Sequence, residues 1–296
     1  MYRRGRALPS PVNLIVCLVS SSIDMHKRVV TIMIFWQGRD YGINYIKARG
    51  EHVCYGMGLG IILLNDAYPG FPGDVRNASG FPYPVQYEIA EGVTNKTLVY
   101  DKNPAQCREA VIKAAKKLER LGCRAIAAEC GYFAFFQQDV ANAVSVPAFM
   151  SSLLQVPFIQ QVIGPKKRIG IVCAQAQFLS EQHLLNVGID PAKTNLAIAG
   201  SQDEYGCTEF DNLWNPEKRP ECPEAYFDKA EKQMIDCCRA FVYKYPDIGA
   251  IMLECTGMQP FARAIQREIA LPVFSWGTLL DYAYSVVNHR EYYGHV

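Results

Sequence analysis

Short apolar runs alternate with longer amphipathic segments along the chain from Leu59 onward. The run at 60–64 is almost wholly apolar and is bounded by turn residues, which is typical of a parallel strand covered on both faces. The segment 103–121 begins with Asn-Pro and is followed by a glycine, and these are start and stop signals of a helix. Strands that alternate with helices in this way predict an α/β protein with parallel sheets.

Part of this pattern occurs twice, at a constant offset of 125 residues: Ala-Ile-Ala-Ala-Glu-Cys at 125–130 returns as Ala-Ile-Met-Leu-Glu-Cys at 250–255. Val-Pro-Ala-Phe at 146–149 returns as Leu-Pro-Val-Phe at 271–274 with no gap. A repeated strand–helix–strand unit of this length indicates an internal duplication. We therefore predict two pseudo-symmetric lobes, each a parallel sheet flanked by helices, with the active site between them.

We divide the chain into an N-terminal extension at 1–57 and the two lobes. Lobe 1 takes 58–163 plus 276–296, and lobe 2 takes 164–275. The pattern predicts strands at 85–90, 124–130, 147–150, 169–173, 196–199 and 250–255, and helices after 130, at 151–163, after 180, at 223–245 and at 276–287. The helices at 151–163 and 276–287 are expected to cross from one lobe to the other.

The extension has an early basic cluster followed by a short apolar stretch at 14–19, as in a targeting peptide. A second apolar run at 29–36 does not suit that interpretation. Organelle targeting and an irregular extension therefore both stay open. For the rest of the protein we expect a cytoplasmic location, because the eleven cysteines show no disulfide-type spacing and suit free thiols in a reducing compartment.

The charge of the chain limits the classes of molecule that we expect it to bind. The formal net charge is +1, no lysine-arginine stripe is present, and no apolar run reaches the roughly 18 residues that would span a bilayer. We therefore expect neither nucleic acid nor a membrane as partner, but a small-molecule carboxylate and, in a homo-oligomer, other copies of the chain. Cysteine and histidine spacings do not build a metal site, and no cofactor is expected.

The duplicated unit places Cys130 and Cys255 at the carboxyl ends of two strands, where ligands bind in open parallel sheets. Gly131 follows the first cysteine, and Thr256 and Gly257 follow the second, so backbone N–H groups at the next helix are free to hold a carboxylate. A helix N-terminus lowers a thiol pKa. One cysteine can then act as a thiolate base while the other acts as the acid.

These motifs resemble the aspartate/glutamate racemase superfamily: Glu-Cys-Gly at 129–131, Glu-Cys-Thr-Gly-Met at 254–258, Ser-Ser-Leu-Leu at 151–154 and Pro-Gly-Asp at 72–74. The resemblance covers about three-quarters of the chain. It implies cofactor-independent chemistry with one catalytic cysteine in each lobe, as in the amino-acid racemases, hydantoin racemases, maleate isomerases, arylmalonate decarboxylases and algal dimethylsulfoniopropionate lyases of that superfamily.

The chain departs from the superfamily where the amino-acid racemases bind substrate. Those enzymes usually have Asn-Thr after the first cysteine, where this chain has Gly131 and Tyr132, and glutamate racemases often have a histidine where it has Gly257. A substrate with a bulky onium group, held by cation-π contact with Tyr132, Phe133 and Trp276, fits these changes.

Other polar residues have two interpretations each. Ser151, Ser152 and Thr278 are candidate carboxylate donors or packing residues, and Asp74 and Arg76 are candidate binding residues or a surface ion pair. Strand alternation predicts that Glu129 and Glu254 point away from the thiols and form salt bridges.

The leading functional hypothesis is racemisation or epimerisation of an amino acid or a derivative. The runner-up is β-elimination of the dimethylsulfoniopropionate lyase type, which gives dimethyl sulfide and acrylate. A non-catalytic protein that binds a small acid is the alternative from another class.

Overall fold

The computed structural model describes residues 47–48, 50–290 and 292, and within them two separate four-stranded parallel sheets are formed. The first sheet contains β1 (Leu59–Leu64), β2 (Val85–Ala90), β3 (Ala125–Ala128) and β4 (Ala148–Phe149), in the order β2-β1-β3-β4. The second contains β5 (Arg168–Cys173), β6 (Leu196–Gly200), β7 (Ile248–Leu253) and β8 (Val273–Phe274), in the order β6-β5-β7-β8. The identical order confirms the predicted α/β fold with two lobes.

Helices flank both sheets. They are α1 (Arg108–Arg120), α2 (Gln137–Ala143), α3 (Val156–Ile163), α4 (Glu181–Asn186), α5 (Thr208–Trp214), α6 (Phe227–Lys244), α7 (Ala262–Ile269) and α8 (Trp276–Val287). None of these helices is long and apolar enough to cross a bilayer.

The duplicated positions match in space as well as in sequence. Phe136 and Phe261 are both fully buried just before α2 and α7, and Val140 and Ile265 are fully buried on those two helices. The central strands are buried along almost their whole length, as expected for parallel strands covered on both faces. The repeat at an offset of 125 residues is therefore a structural duplication.

Two helices join the lobes. Helix α3 follows β4 of the first sheet and packs against β5 and β7 of the second. Helix α8 follows β8 and packs its buried face, including Trp276 and Leu280, against β1 and β3 of the first sheet. Both crossings agree with the sequence prediction, and they fix the two sheets relative to each other.

Several element boundaries differ from the prediction. β3 and β7 end two residues before their cysteines, at Ala128 and Leu253, so both thiols lie in the loops beyond the strands. The helix predicted from 223 begins at Phe227, and α5 was not predicted. The Tyr226 backbone is extended (φ −99°, ψ 124°) and its N–H donates to the Glu209 carboxylate at 2.7 Å, so the helix begins at the next residue.

Residues 1–46 of the predicted extension lie outside the described residues. The described residues of the extension, from Lys47 onward, belong to the same compact unit as both sheets. The Val53 backbone N–H donates to the Arg120 carbonyl at 3.1 Å, at the end of α1.

Candidate active site

Cys130 and Cys255 line one cavity between the two lobes. Each is the N-cap residue of a short 3-10 helix, Gly131–Phe136 in the first lobe and Thr256–Phe261 in the second. Both cysteines are buried, with 8% and 9% of their surface exposed. The duplicated topology thus brings two thiols from opposite lobes to the wall of one cavity.

Hydrogen bonds across the lobes hold the two cysteine loops together. The Thr256 hydroxyl donates to the Glu129 carbonyl at 2.6 Å, and the Ser152 hydroxyl donates to the Leu253 and Glu254 carbonyls at 3.2 and 3.1 Å. The Trp276 indole N–H also donates to the Glu254 carbonyl, at 2.6 Å. These contacts set the distance between the loops, and a change in one loop is transmitted to the other.

The two glycines beside the cysteines leave room for neighbouring side chains, Gly131 for Glu254 of the opposite cysteine loop and Gly257 for Trp214 of α5 in its own lobe. A Cβ atom on Gly131 would lie 2.1 Å from the Glu254 Oε1 atom, and one on Gly257 would lie 2.1 Å from the Trp214 ring. Both distances are far below van der Waals contact. The glycines at these positions are therefore required for packing, whatever else their backbone N–H groups do.

Glu129 is held by a buried arginine. The Arg76 Nε and Nη2 atoms donate to its two carboxylate oxygens at 3.1 and 2.9 Å, and the Leu64 N–H donates at 2.9 Å. Burial raises the pKa of Glu129, while the Arg76 charge and these hydrogen bonds oppose that shift. The salt bridge predicted for Glu129 is confirmed, and Glu129 lines the same cavity as the two cysteines.

Glu254 matches Glu129 in the repeat, but among the described residues its carboxyl has neither an arginine nor a backbone N–H as a partner. It is fully buried, and neither of its carboxyl oxygens has a hydrogen-bond partner among the described residues. Burial raises its pKa from the ordinary value of 4.5 to about 8. The salt bridge predicted for Glu254 is therefore wrong, because the second lobe offers no counterpart of Arg76 to it.

Both thiols are neutral in this environment. Burial raises the pKa of Cys130 and of Cys255 well above its usual value, and the charge on Glu254 adds to the shift in each. Backbone N–H groups of Tyr132 and Gly257 lower the two values, as predicted for a helix start, but by less. A thiolate at this site needs a positive charge that the resting protein does not supply to it.

The rest of the cavity wall is aromatic and polar. Besides the cysteines, the lining residues are Tyr68, Asn95, Val99, Tyr100, Glu129, Tyr132, Ala174, Gln202, Trp214 and Thr256. The free space is about 20 Å³, enough for about one water molecule. A larger ligand can enter only if some of these side chains move.

Several residues predicted at the site lie elsewhere. The Ser151 hydroxyl accepts the Leu153 N–H at 3.3 Å as a helix cap, and Ser152 bonds the opposite loop. Neither serine lines the cavity. Of the three aromatic residues proposed for cation-π contact, Tyr132 lines the cavity, while Phe133 and Trp276 are fully buried behind it.

Asp74 and Arg76 are not a surface pair. Asp74 is 4% exposed, and its carboxylate accepts the Arg76 backbone N–H at 3.0 Å. Burial raises the pKa of Asp74 to about 6. The Arg76 guanidinium donates to Glu129 and to the carbonyls of Asp66 and Tyr68, so it supports the loop at 65–76 and is not free for a substrate.

The sequence pattern did not indicate seven residues of the wall: Tyr68, Asn95, Val99, Tyr100, Ala174, Gln202 and Trp214. They come from loops and short helical segments without periodicity, and no motif points to a role for them at this site. Among the described residues, no group of three or more His, Cys, Asp or Glu side chains is arranged to hold a metal ion.

Comparison with known proteins gives sequence relatives and structures of similar fold. No protein-family model matches the chain. The chain is 29% identical over 229 residues to dimethylsulfoniopropionate lyase 7 of Emiliania huxleyi (strain CCMP1516), covering 75% of this chain and 64% of that relative. It is 28% identical over 220 residues to the dimethylsulfoniopropionate lyase of Durusdinium sp. clade D, covering 73% and 70%. The chain thus spans less than two thirds of the Emiliania relative.

In structure, the chain is similar to a mutant of arylmalonate decarboxylase in a sulfate-associated form, with a TM-score of 0.54 at 16% identity. That match covers 80% of this chain and 98% of the other. The fold is thus similar to that of arylmalonate decarboxylase. The predicted resemblance to the aspartate/glutamate racemase superfamily is confirmed, because the sequence matches are dimethylsulfoniopropionate lyases and the structural match is an arylmalonate decarboxylase, two of the enzymes that the resemblance implied.

Proposed function

We propose that the protein is a cofactor-independent lyase that removes the proton next to a carboxylate and expels a β-onium group, with dimethylsulfoniopropionate as the substrate to test first. The observation that carries the proposal is the pair of buried thiols on one cavity that is also lined by aromatic rings and by Glu129. Sequence similarity to two lyases of this name supports the choice of substrate.

The reaction needs one base and balances without a cofactor. A thiolate takes the α-proton, the electrons of the broken C–H bond form the double bond, and the Cβ–S bond breaks with its electron pair on sulfur. The products are acrylate, neutral dimethyl sulfide and a protonated thiol, which later releases its proton. Either Cys130 or Cys255 has the position for this step, since both line the cavity.

The charge of such a substrate would activate the base. In the resting site, burial and nearby carboxyl groups hold both thiols neutral. A unit positive charge about 5 Å from a sulfur, at an effective dielectric constant of about 20, stabilises the thiolate by about 3 kcal/mol and lowers the thiol pKa by about 2. An onium substrate therefore brings the positive charge that the site does not offer its thiols.

Racemisation of an amino acid or derivative, the leading sequence hypothesis, is kept as the second candidate. The observation in its favour is that two thiols line the cavity, because racemisation needs an acid opposite a base while elimination needs only a base. Against it stand Gly131 and Tyr132 at the positions where amino-acid racemases usually have Asn-Thr.

The deciding experiment incubates the protein in deuterium oxide with dimethylsulfoniopropionate and, separately, with a panel of amino acids and hydantoins, and follows the products by NMR. We expect acrylate and dimethyl sulfide from the first substrate, and neither product from whichever of the variants Cys130→Ser and Cys255→Ser removes the base. Deuterium uptake with loss of optical purity in the panel, without elimination, would establish the second candidate. No turnover of any kind, together with thiols that react no faster than buried structural cysteines, would indicate a binding protein.

A further inference from the structure

Two side-chain amides on the cavity wall are buried with a polar atom unpaired. Asn95 is 5% exposed, and its Nδ2 atom has no hydrogen-bond partner among the described residues. Gln202 is 4% exposed, and its Oε1 atom likewise has none. A buried polar group without a partner typically costs about 1–3 kcal/mol, so each of these atoms calls for a specific explanation.

The fold does not need the Asn95 side chain. Its backbone N–H donates to the Asp66 carboxylate at 3.2 Å, but the side chain makes no hydrogen bond within the described residues and does not cap the segment that follows. That segment, Lys96–Tyr100, is a π-helix, a conformation that occurs frequently at functional sites. The buried Asn95 amide costs free energy and makes no side-chain hydrogen bond within the fold. These properties are expected of a group that binds a ligand.

The two amides approach the cavity from opposite lobes. Asn95 follows β2, and Gln202 follows β6, and these strands occupy the same place in the two sheets. Each lobe therefore contributes one thiol and one amide to the cavity wall. Asn95 offers a hydrogen-bond donor and Gln202 an acceptor, because the Gln202 Nε2 atom already donates to Asp211 at 3.0 Å.

We propose that the Asn95 amide binds the carboxylate of the substrate and that the Gln202 Oε1 atom faces its cationic end. This inference rests on the proposed function. Two other side-chain donors near the site are already engaged: the Arg76 guanidinium bonds Glu129 and the loop carbonyls, and the Ser152 hydroxyl bonds the opposite loop. Asn95 lines the same cavity as the two thiols, and a hydrogen bond from its amide to a carboxylate is charge-assisted.

The test separates carboxylate binding from catalysis. Propionate, which has a carboxylate but no leaving group, is titrated as a protectant while iodoacetamide alkylates the protein, and the rates at Cys130 and Cys255 are followed by peptide mass spectrometry. The variants are Asn95→Asp, which keeps the shape but loses the donor and adds a negative charge, and Gln202→Met. Asn142→Asp, on the exposed side of α2, is the matched control.

We expect Asn95→Asp to need roughly 10- to 100-fold more propionate for half-protection, as the loss of a hydrogen bond to a charged group predicts. In Gln202→Met and Asn142→Asp, propionate should protect the two cysteines at the same concentration as in the wild type. With dimethylsulfoniopropionate as substrate, Gln202→Met should raise KM. If Asn95→Asp fails to fold, Asn95→Ala is measured instead, and the same loss of protection is expected.

Equal protection in the wild type and the Asn95 variant would overturn the proposal, and so would the absence of protection in the wild type at any propionate concentration. Because the protection assay needs no turnover, a protein that binds propionate through Asn95 but releases no dimethyl sulfide would refute the proposed function and leave this carboxylate site standing.

Discussion

The unpaired carboxyl of Glu254 predicts a strong dependence of stability on pH. Its pKa is about 8 in the folded protein and 4.5 in its ordinary, solvated state. Between these values the unfolded chain has released the proton that the folded protein keeps, so this group removes stability as the pH rises. Integrating between pH 5 and pH 8 gives a loss of about 3.5 kcal/mol from Glu254 alone.

The perturbation is Glu254→Gln, which keeps the shape and cannot ionise. Equilibrium urea unfolding of the wild type and the variant at pH 5 and pH 8 gives the free energy of unfolding of each. Subtraction removes the contributions of Glu129 and Asp74, which both proteins share. From pH 5 to pH 8, we expect the free energy of unfolding of the variant to rise by about 3.5 kcal/mol relative to that of the wild type.

The control is Glu209→Gln. Glu209 is also buried, but its carboxylate accepts the Tyr226 N–H at 2.7 Å and so has a partner. This variant therefore measures how much a change from Glu to Gln at a buried, hydrogen-bonded position alters the free energy of unfolding by itself. If the Glu254→Gln difference changes by less than about 1 kcal/mol between pH 5 and pH 8, the carboxyl has a partner or water in solution, and the reasoning fails.

Three further predictions concern the site. At least one of Cys130→Ser and Cys255→Ser, the one that removes the base, should lower turnover by about 100-fold or more, because a hydroxyl is too weak an acid to form the base, while thermal unfolding stays unchanged; full activity in both would refute a catalytic thiol at this site. Arg76→Met should destabilise the protein by about 3–5 kcal/mol in urea unfolding, since it leaves a buried carboxyl alone, whereas Arg239→Met, which removes an exposed ion pair, should have a much smaller effect. Tyr100 separates the cavity from a surface cleft of about 420 Å³, so Tyr100→Ala should speed alkylation of both site cysteines, and an unchanged rate would place the entrance elsewhere.

The asymmetry between the two glutamates has a consequence for the duplicated site. Glu129 has an arginine and a backbone N–H, while Glu254 has neither. The two thiols therefore lie in different electrostatic surroundings in spite of equivalent positions in the repeat. Such a difference is what an acid and a base need in order to act at one pH.

Much of the fold follows from local patterns in the sequence. Continuous apolar runs such as 60–64 are specific to strands covered on both faces, and the repeat at an offset of 125 residues requires two similar sheets. The same repeat singles out Cys130 and Cys255, because a duplicated residue at a strand end is positioned by the fold itself. The sequence predicted the boundaries of the elements less accurately: α6, for example, begins at Phe227 and was predicted from 223.

The walls of the site were decided by tertiary structure alone. Asn95, Tyr100, Gln202 and Trp214 come from three separate segments without hydrophobic periodicity, and these segments meet because α3 and α8 fix one lobe against the other. The sequence likewise could not show that Arg76 pairs with Glu129 and leaves Glu254 alone. Periodicity and capping depend on neighbours along the chain, whereas the partner of a buried polar group depends on which loops the packing brings together.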